Sequence, residues 1–415
     1  VRTRIASAFT AAVVVAALTA GCASGEAAAG GPASGGPAGD GAPPASAATA
    51  AAPLPPITRP AGDVALRSPV GPGPDFPILG LDRDAGVSAR LSDGSMVWFF
   101  GDTGDLTPTG QLRFFEVGSA SWAPAETPTT TFDVVVGDKL LPFAPEGGDA
   151  APCPVEAPTA GKWPLAAVVD PQGGRDRVVV WMANVCLGAD RTLRGGSIAV
   201  GEWWYDPSRP PVDRPVRVEL LNERLFPDGR LGGAAVLEGD TVHVYGCDVV
   251  QSPASPADNG PCRVARVDVD EVDDPRAYRM WNGQGWGGRA ADLPMAPSPS
   301  DASLPPGPFS VARFGPDGPL AMTYTSWPGY HDTAIIRMAE RPEGPWGPPL
   351  EVPLPGCVAS GPSTRTACYA ANRQPAFDEP GRLGIGWYDQ HVHDLPRRGS
   401  FVVGTVPLEV GTPGG

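Results

Sequence analysis

One pattern recurs five times between residues 81 and 391, and this recurrence limits what the chain can fold into. Each copy has small and apolar residues, a turn, and then an alternating or apolar run that ends in polar residues. The first, LDRDAGVSARLSDGSMVWFFGDTGD over 81–105, turns at Ser92-Asp93-Gly94. The second joins 165–169 to 178–182 and ends at Asn184; the third joins 233–237 to 242–245 and ends at Gly246-Cys247-Asp248. The fourth joins 310–314 to 320–324 and ends at Thr325-Ser326-Trp327; the fifth joins 375–377 to 383–388 and ends at Asp389-Gln390-His391. Gly, Asp, Asn or Pro turns between such runs are hairpin signals.

Further strands are predicted between the hairpins, at 131–136, 197–200, 216–220, 263–267 and 334–338, and no amphipathic helix interrupts them. About four strands per repeat predict an all-β, five-bladed β-propeller over residues 63–410. Even strand spacing would also suit a two-sheet sandwich, but closing a ring removes exposed sheet edges.

The flanks read differently. Arg2 and Arg4, an apolar run over 11–20 and then Thr19-Ala20-Gly21-Cys22 predict a lipoprotein signal over 1–21. Cys22 is then the lipidated residue, anchoring the protein to the outer face of the cell membrane. An ordinary cleaved signal peptide is the alternative, and the run is shorter than the roughly 20 residues a membrane span needs. Residues 22–62, mostly Ala, Gly, Pro and Ser, predict a disordered linker, and 411–415 a short tail.

Charge and cysteine content narrow the function. The chain carries a net charge of −15 and only two lysines, Lys139 and Lys162, so no basic stripe is available for phosphates and nucleic acid is not an expected partner. Apart from Cys22, six cysteines remain, an even number that suits an oxidising extracytoplasmic space. Sequential pairing, Cys153 with Cys186, Cys247 with Cys262 and Cys357 with Cys368, staples local loops. No Cys-x-x-Cys or Cys-His spacing points to zinc. No cofactor is expected, although calcium between facing carboxylates is an alternative. The expected state is a monomer.

In a propeller, corresponding hairpins point the same way, so the residues at their open ends gather on one face. Setting Leu91 opposite Ser95 across the first turn brings Asp84 opposite Asp102. Like charges facing each other on a ladder are destabilising, which marks this pair as functional: one carboxyl of such a pair can be kept protonated as a general acid. The same arithmetic sets Trp163 near Asn184, Leu231 or Gly232 near Asp248, Phe309 near Thr325 and Ser326 with Trp327 beyond, and Asn372 and Arg373 near Tyr388 and Asp389. Acids, amides and flat aromatic rings on one face are what a carbohydrate site needs.

The candidate catalytic residues are therefore Asp84, Asp102 and Asp248. The candidate substrate-binding residues are Trp163, Asn184, Trp327, His331, Arg373 and Asp389. Asp248 is equally readable as a loop aspartate beside a disulfide, and His331, His391 and His393 as solvated loop histidines. His243, within an alternating strand, reads as structural, and Trp281, Trp286 and Trp346 as packing between blades. No G-x-S-x-G elbow supports Ser-His-Asp chemistry.

The run Asp84-Ala-Gly-Val-Ser88, then Asp93-Gly94 and Val97-Trp-Phe-Phe-Gly-Asp-Thr103, resembles the start of the domain of unknown function 4185 family of secreted five-bladed propellers. The segments WNGQGW, EGPWG and YAANRQP are compatible with it. The resemblance implies an endo-D-arabinanase-like glycoside hydrolase acting on cell-wall polysaccharide, with Asp84 and Asp102 as active-site carboxylates. Ala85 stands where that family has glycine, and Gln374 precedes Pro375 where histidine is expected. The alternative is a non-catalytic propeller lipoprotein that binds glycan or an envelope protein.

Overall fold

The computed structural model describes residues 57–78, 81–107, 112–145, 159–187, 193–248, 255, 257, 262–289, 309–315, 317–325, 332–357, 368–389 and 400–410. They form five antiparallel blades arranged as a β-propeller. In the first blade, Leu81–Arg83 and Val87–Arg90 both pair with Met96–Leu106, which pairs in turn with Leu112–Ala123. The second blade orders Thr159–Gln172, Arg175–Leu187, Leu193–Tyr205 and Glu219–Phe226. The third begins with Ala234–Glu238 and Thr241–Cys247, and the fourth with Phe309–Arg313 and Leu320–Tyr324. The fifth runs Cys368–Arg373, Arg382–Asp389 and Ser400–Val410, and its outer edge comes from the other end of the chain, Ile57–Pro60 and Ala65–Pro69. The ring is thus closed by hydrogen bonds between the two ends of the propeller. The propeller takes in Ile57–Pro60, a segment inside the stretch expected as linker.

The packing explains why the second strand of each hairpin reads as an apolar run rather than a strict alternation. Successive strand residues point to opposite faces, and in a ring of blades both faces are covered. Val97 and Phe99 pack into a cluster shared with Val178, Val180 and Met182 of the second blade. Met96, Trp98 and Phe100 point the other way, against Phe401 and Val403 of the fifth. The second blade repeats the division, sending Val179, Trp181 and Ala183 towards Val242 and Val244 of the third. Third and fourth blades share a cluster around Tyr245, Phe309 and Met322, and fourth and fifth one around Ile336, Ile385 and Trp387. Every pair of neighbouring blades therefore has its own apolar interface, which a two-sheet sandwich would not produce.

Three expected strands differ. Of 131–136 only Thr130–Thr131 and Val135–Val136 are extended, because Asp133 turns inward to accept hydrogen bonds from Arg83, Ser121 and Thr131. The strand expected at 216–220 is displaced to Glu219–Phe226, since Val216 and Val218 are buried between the first two blades and the Val218 N–H bonds Phe143 O at 2.7 Å. Pro375–Phe377 is a 3-10 turn, and the inner strand of the fifth blade is Cys368–Arg373 instead; Pro375 lacks the N–H a ladder position requires.

Two disulfides appear as expected, Cys247–Cys262 and Cys357–Cys368. Cys186 is also disulfide-bonded, while Cys153 lies outside the described residues, as do Cys22 and the whole signal segment. Among the described residues no helix is long and apolar enough to cross a membrane.

Candidate active site

The inner strands Val87–Arg90, Thr159–Gln172, Ala234–Glu238, Phe309–Arg313 and Cys368–Arg373 surround an axial cavity of about 260 Å³. Small residues such as Ala89, Ala167, Ala235 and Ala312 leave this space open. In three blades, side chains that just precede the cavity lining meet at one end of the axis.

Asp84 and Asp102 do face each other. The Asp84 N–H donates to Asp102 O at 3.1 Å and the Gly101 N–H to Asp84 O at 2.9 Å. The next residue, Ala85, has φ of 47°, which splits the inner strand into Leu81–Arg83 and Val87–Arg90. A left-handed alanine costs roughly 1 kcal/mol or more, which is why glycine suits this position, and such strain gathers at functional sites. The kink lays the Asp84 carboxyl over Gly101, where an added Cβ would sit 2.3 Å from Asp84 Oδ1. Only glycine leaves that carboxyl its place.

The fifth blade repeats the device. Ala370 has φ of 57°, and the register with the neighbouring strand shifts between Tyr369 and Asn372. The Tyr369 hydroxyl donates to Asp84 Oδ2 at 2.6 Å, and the Tyr388 hydroxyl to Asp82 Oδ1 at 3.0 Å, with the two rings 4.7 Å apart. From the second blade, the Trp163 indole N–H donates to Asp102 Oδ1 at 2.7 Å. Asp84 is therefore held by one blade and Asp102 by another, and Asp82 adds a third carboxylate beside them.

These surroundings separate the two acids. Burial pushes the Asp84 pKa well above the usual carboxylate range, Asp102 adds to the rise, and the Tyr369 hydrogen bond only partly opposes it. Asp102 is lifted to about 6, first by burial, against the Trp163 hydrogen bond, with Asp82 raising it further. Asp84 therefore holds its proton to higher pH than Asp102, the division of labour that acid/base chemistry needs. Trp163→Phe keeps the ring but removes the N–H that favours the Asp102 carboxylate. The Asp102 carboxyl titration, followed by carbon-detected NMR, is then expected to move to higher pH by about one unit. An unmoved titration would remove the indole from this role.

The other sequence candidates among the described residues do not join the cluster. Asp248 lies exposed at the end of its strand, in a two-point ion pair with Arg263 at 2.8 and 2.9 Å. The chain opposite it turns away, because the Gly232 and Gly233 N–H groups both bond Tyr245 O. Asn184 faces Lys162 rather than Trp163, since a bulge between Pro164 and Ala166 moves the register by one residue. Its amide is used by Ser197 Oγ at 3.0 Å and Glu223 O at 2.8 Å. Phe309 pairs with Tyr324 instead of Thr325. Asn372 and Arg373 face Gly386 and Ile385 rather than Tyr388 and Asp389, because Pro375–Phe377 is taken up in a 3-10 turn instead of the ladder. Arg373 is fully buried in a two-point pair with Asp378. Asp389 is buried at the end of its strand, paired with Cys368. Trp327, His331, His391 and His393 lie outside the described residues.

Asp82 and Tyr369 are the site residues that sequence reasoning missed; it set Tyr388 on this face but gave it no role. One signal for Asp82 was present: it lies two residues before Asp84 in LDRD and so has the same strand parity. Among the described residues no three of His, Cys, Asp and Glu converge as a metal-holding group.

Fold and site together define a five-bladed propeller with a paired-aspartate cleft at one end of its axis. Comparison with solved structures agrees on the fold. A candidate hydrolase from Bacteroides ovatus superposes with a TM-score of 0.51 at 14% identity, covering 78% of this chain and 85% of that one. Zg3597, a family 117 glycoside hydrolase from Zobellia galactanivorans, gives 0.43 at 10% identity, covering 85% and 92%. An exo-1,5-α-L-arabinanase from a bovine ruminal metagenomic library gives 0.40 at 10% identity, covering 79% and 96%. No protein-family model and no curated protein matches the chain. The resemblance to the domain of unknown function 4185 family rests on the motif between Asp84 and Thr103.

Proposed function

We propose that this protein is a glycoside hydrolase acting on a cell-wall polysaccharide, with arabinan, as for endo-D-arabinanases, the substrate class its sequence resemblance favours. The observation that carries the reading is the Asp84 and Asp102 pair, held by Tyr369 and Trp163 on separate blades, with burial raising both carboxyls and Asp84 the more. Protonated Asp84 donates its proton to the glycosidic oxygen as the bond to the anomeric carbon breaks. Ionised Asp102, with Oδ1 fixed by the indole, uses its carboxylate either to activate water or to attack the anomeric carbon. The Tyr369 hydrogen bond to Oδ2 of Asp84 fixes the acid's orientation.

The disulfides suit an oxidising compartment outside the cytoplasm. Lipid anchoring through Cys22 belongs to the same proposal, since a membrane-held propeller on a tether would meet cell-wall glycan.

Purified protein incubated with arabinan is expected to release oligosaccharides, detected by chromatography. Binding without cleavage would replace the enzyme by a glycan-binding propeller. Cleavage abolished by a chelator and restored by calcium would put a cation between the carboxylates.

A further inference from the structure

A second groove lies at the opposite end of the second blade. It holds about 270 Å³ and is lined by Arg175, Trp203, Trp204, Arg209, Arg214 and Arg217, together with Asp206 and two prolines. The strand from Trp163 to Gln172 spans roughly 30 Å at about 3.3 Å per residue, so this groove is remote from Asp102 and independent of its chemistry.

Its charge runs against that of the chain. In a protein of net charge −15, the lining sets four arginines against the single carboxylate of Asp206. Asp206 is already engaged, accepting from the Ser208 N–H at 2.9 Å and from Ser208 Oγ at 2.6 Å. Among the described residues ten other arginines form ion pairs with carboxylates within 4 Å, and none of these four does. Arg175 and Arg209 are nonetheless near enough to add to the lowering of the Asp206 pKa by Ser208, and Arg214 donates to Arg209 O. The neighbouring Glu202 is committed as well, to Arg177 at 2.6 Å and to the Trp204 indole N–H at 2.9 Å. The loop that carries Arg209 and Arg214 is stiffened by Pro210, Pro211 and Pro215, which fix φ and reduce the entropy lost when a ligand is gripped.

The aromatic content narrows the ligand further. Trp203 packs against Tyr205 with ring centres 5.7 Å apart, and Trp204 is partly exposed with the Arg175 guanidinium 5.3 Å from its ring centre. Indole faces suit the apolar face of a sugar ring, and guanidinium forks grip a carboxylate or phosphate by two hydrogen bonds. A flat lipid surface would use the charges but not a concave groove walled by tryptophan.

We propose that this groove is a non-catalytic binding site for an acidic polysaccharide, taking a sugar unit against the tryptophans and its carboxylate or phosphate on Arg209, Arg214 and Arg217. The site would hold the enzyme on a charged glycan while the axial cleft works elsewhere along the wall.

Native affinity electrophoresis of the whole protein tests this, in gels containing polygalacturonate, a teichoic acid or neutral arabinan. Retardation by at least one acidic polymer is expected, about tenfold weaker in Arg209→Ala/Arg214→Ala and severalfold weaker in Trp204→Ala, with unfolding midpoints unchanged. Retardation by polygalacturonate alone assigns a carboxylate, and by teichoic acid alone a phosphate. Asp102→Asn should be retarded like the wild type, so loss of catalysis leaves the outcome intact. The proposal is overturned if neither acidic polymer retards the protein, or if the double arginine variant binds as the wild type does. It is equally overturned if Trp204→Ala has no effect and anionic phospholipid vesicles bind just as well, since charge alone would then account for binding.

Discussion

Asp102→Asn is expected to lower glycan cleavage by about 10³-fold while making the protein more stable at neutral pH. The two effects share a cause. Asp102 is lifted from 3.8 to about 6 because burial disfavours its charge. A carboxyl whose folded pKa is raised binds more protons when folded than when unfolded. Its contribution to stability is fully present below pH 3.8, declines as the pH rises, and is lost above about 6. A shift of that size corresponds to about 3 kcal/mol at most, and solvent access to the cleft reduces it. Asparagine keeps an acceptor for the Trp163 N–H but carries no charge, so a gain of about 1–2 kcal/mol is expected at pH 7 and almost none at pH 3.5. Urea unfolding at both pH values, beside rate measurements, checks the pair of outcomes. Asparagine that destabilises the fold at pH 7 would make Asp102 a structural residue, and unchanged activity would move the chemistry elsewhere.

The pH dependence of cleavage follows from the same cleft. The acidic limb should fall near pH 6, where Asp102 becomes protonated. The alkaline limb should lie above it, where Asp84 loses the proton that burial and Asp102 hold there.

Arg373→Ala is expected to cost about 3–5 kcal/mol of stability, the usual consequence of stripping one partner from a buried ion pair. Sequence reasoning set Arg373 at the substrate, but its guanidinium is fully buried and grips Asp378 at 2.7 and 2.8 Å. It also donates to Gly384 O at 2.7 Å and to Arg313 O at 3.0 Å, tying the fifth blade to the fourth. Removing Asp378 as well should recover part of the loss, because no uncompensated buried charge then remains. Differential scanning calorimetry of the single and double variants decides the matter. An Arg373→Ala protein of unchanged stability with a raised KM would restore the substrate-binding role.

Much of the architecture was legible because the repeat carries physical information at two levels. Turn residues marked the hairpins, and the unbroken apolar runs, such as 96–100 and 178–183, record burial on both faces between blades. The Asp84 and Asp102 pairing was legible because the kink at Ala85 leaves the residue count intact, so that Leu81–Arg83 and Val87–Arg90 keep one register counted from the turn. Where a bulge or an irregular turn changed the number of residues between the turn and the site, the count failed. The bulge between Pro164 and Ala166 moved Trp163 by one residue, and the 3-10 turn at Pro375–Phe377 moved Asn372 and Arg373, while Tyr369, beside the left-handed Ala370, reaches the acids.

Local sequence by itself therefore determined the hairpins, the repeat, and the meeting of two aspartates across one turn. These are consequences of backbone periodicity and turn chemistry, which act over a few residues. Only the tertiary structure decided which side chains surround that pair. The bonds from Tyr369 to Asp84 and from Trp163 to Asp102 span 285 and 61 residues. Ring closure brings them together, and no local pattern encodes that distance. The groove of arginines and tryptophans has the same origin: Arg175 lies beyond one turn and Arg209 to Arg217 in a loop two strands later, and the twist of one blade sets them side by side.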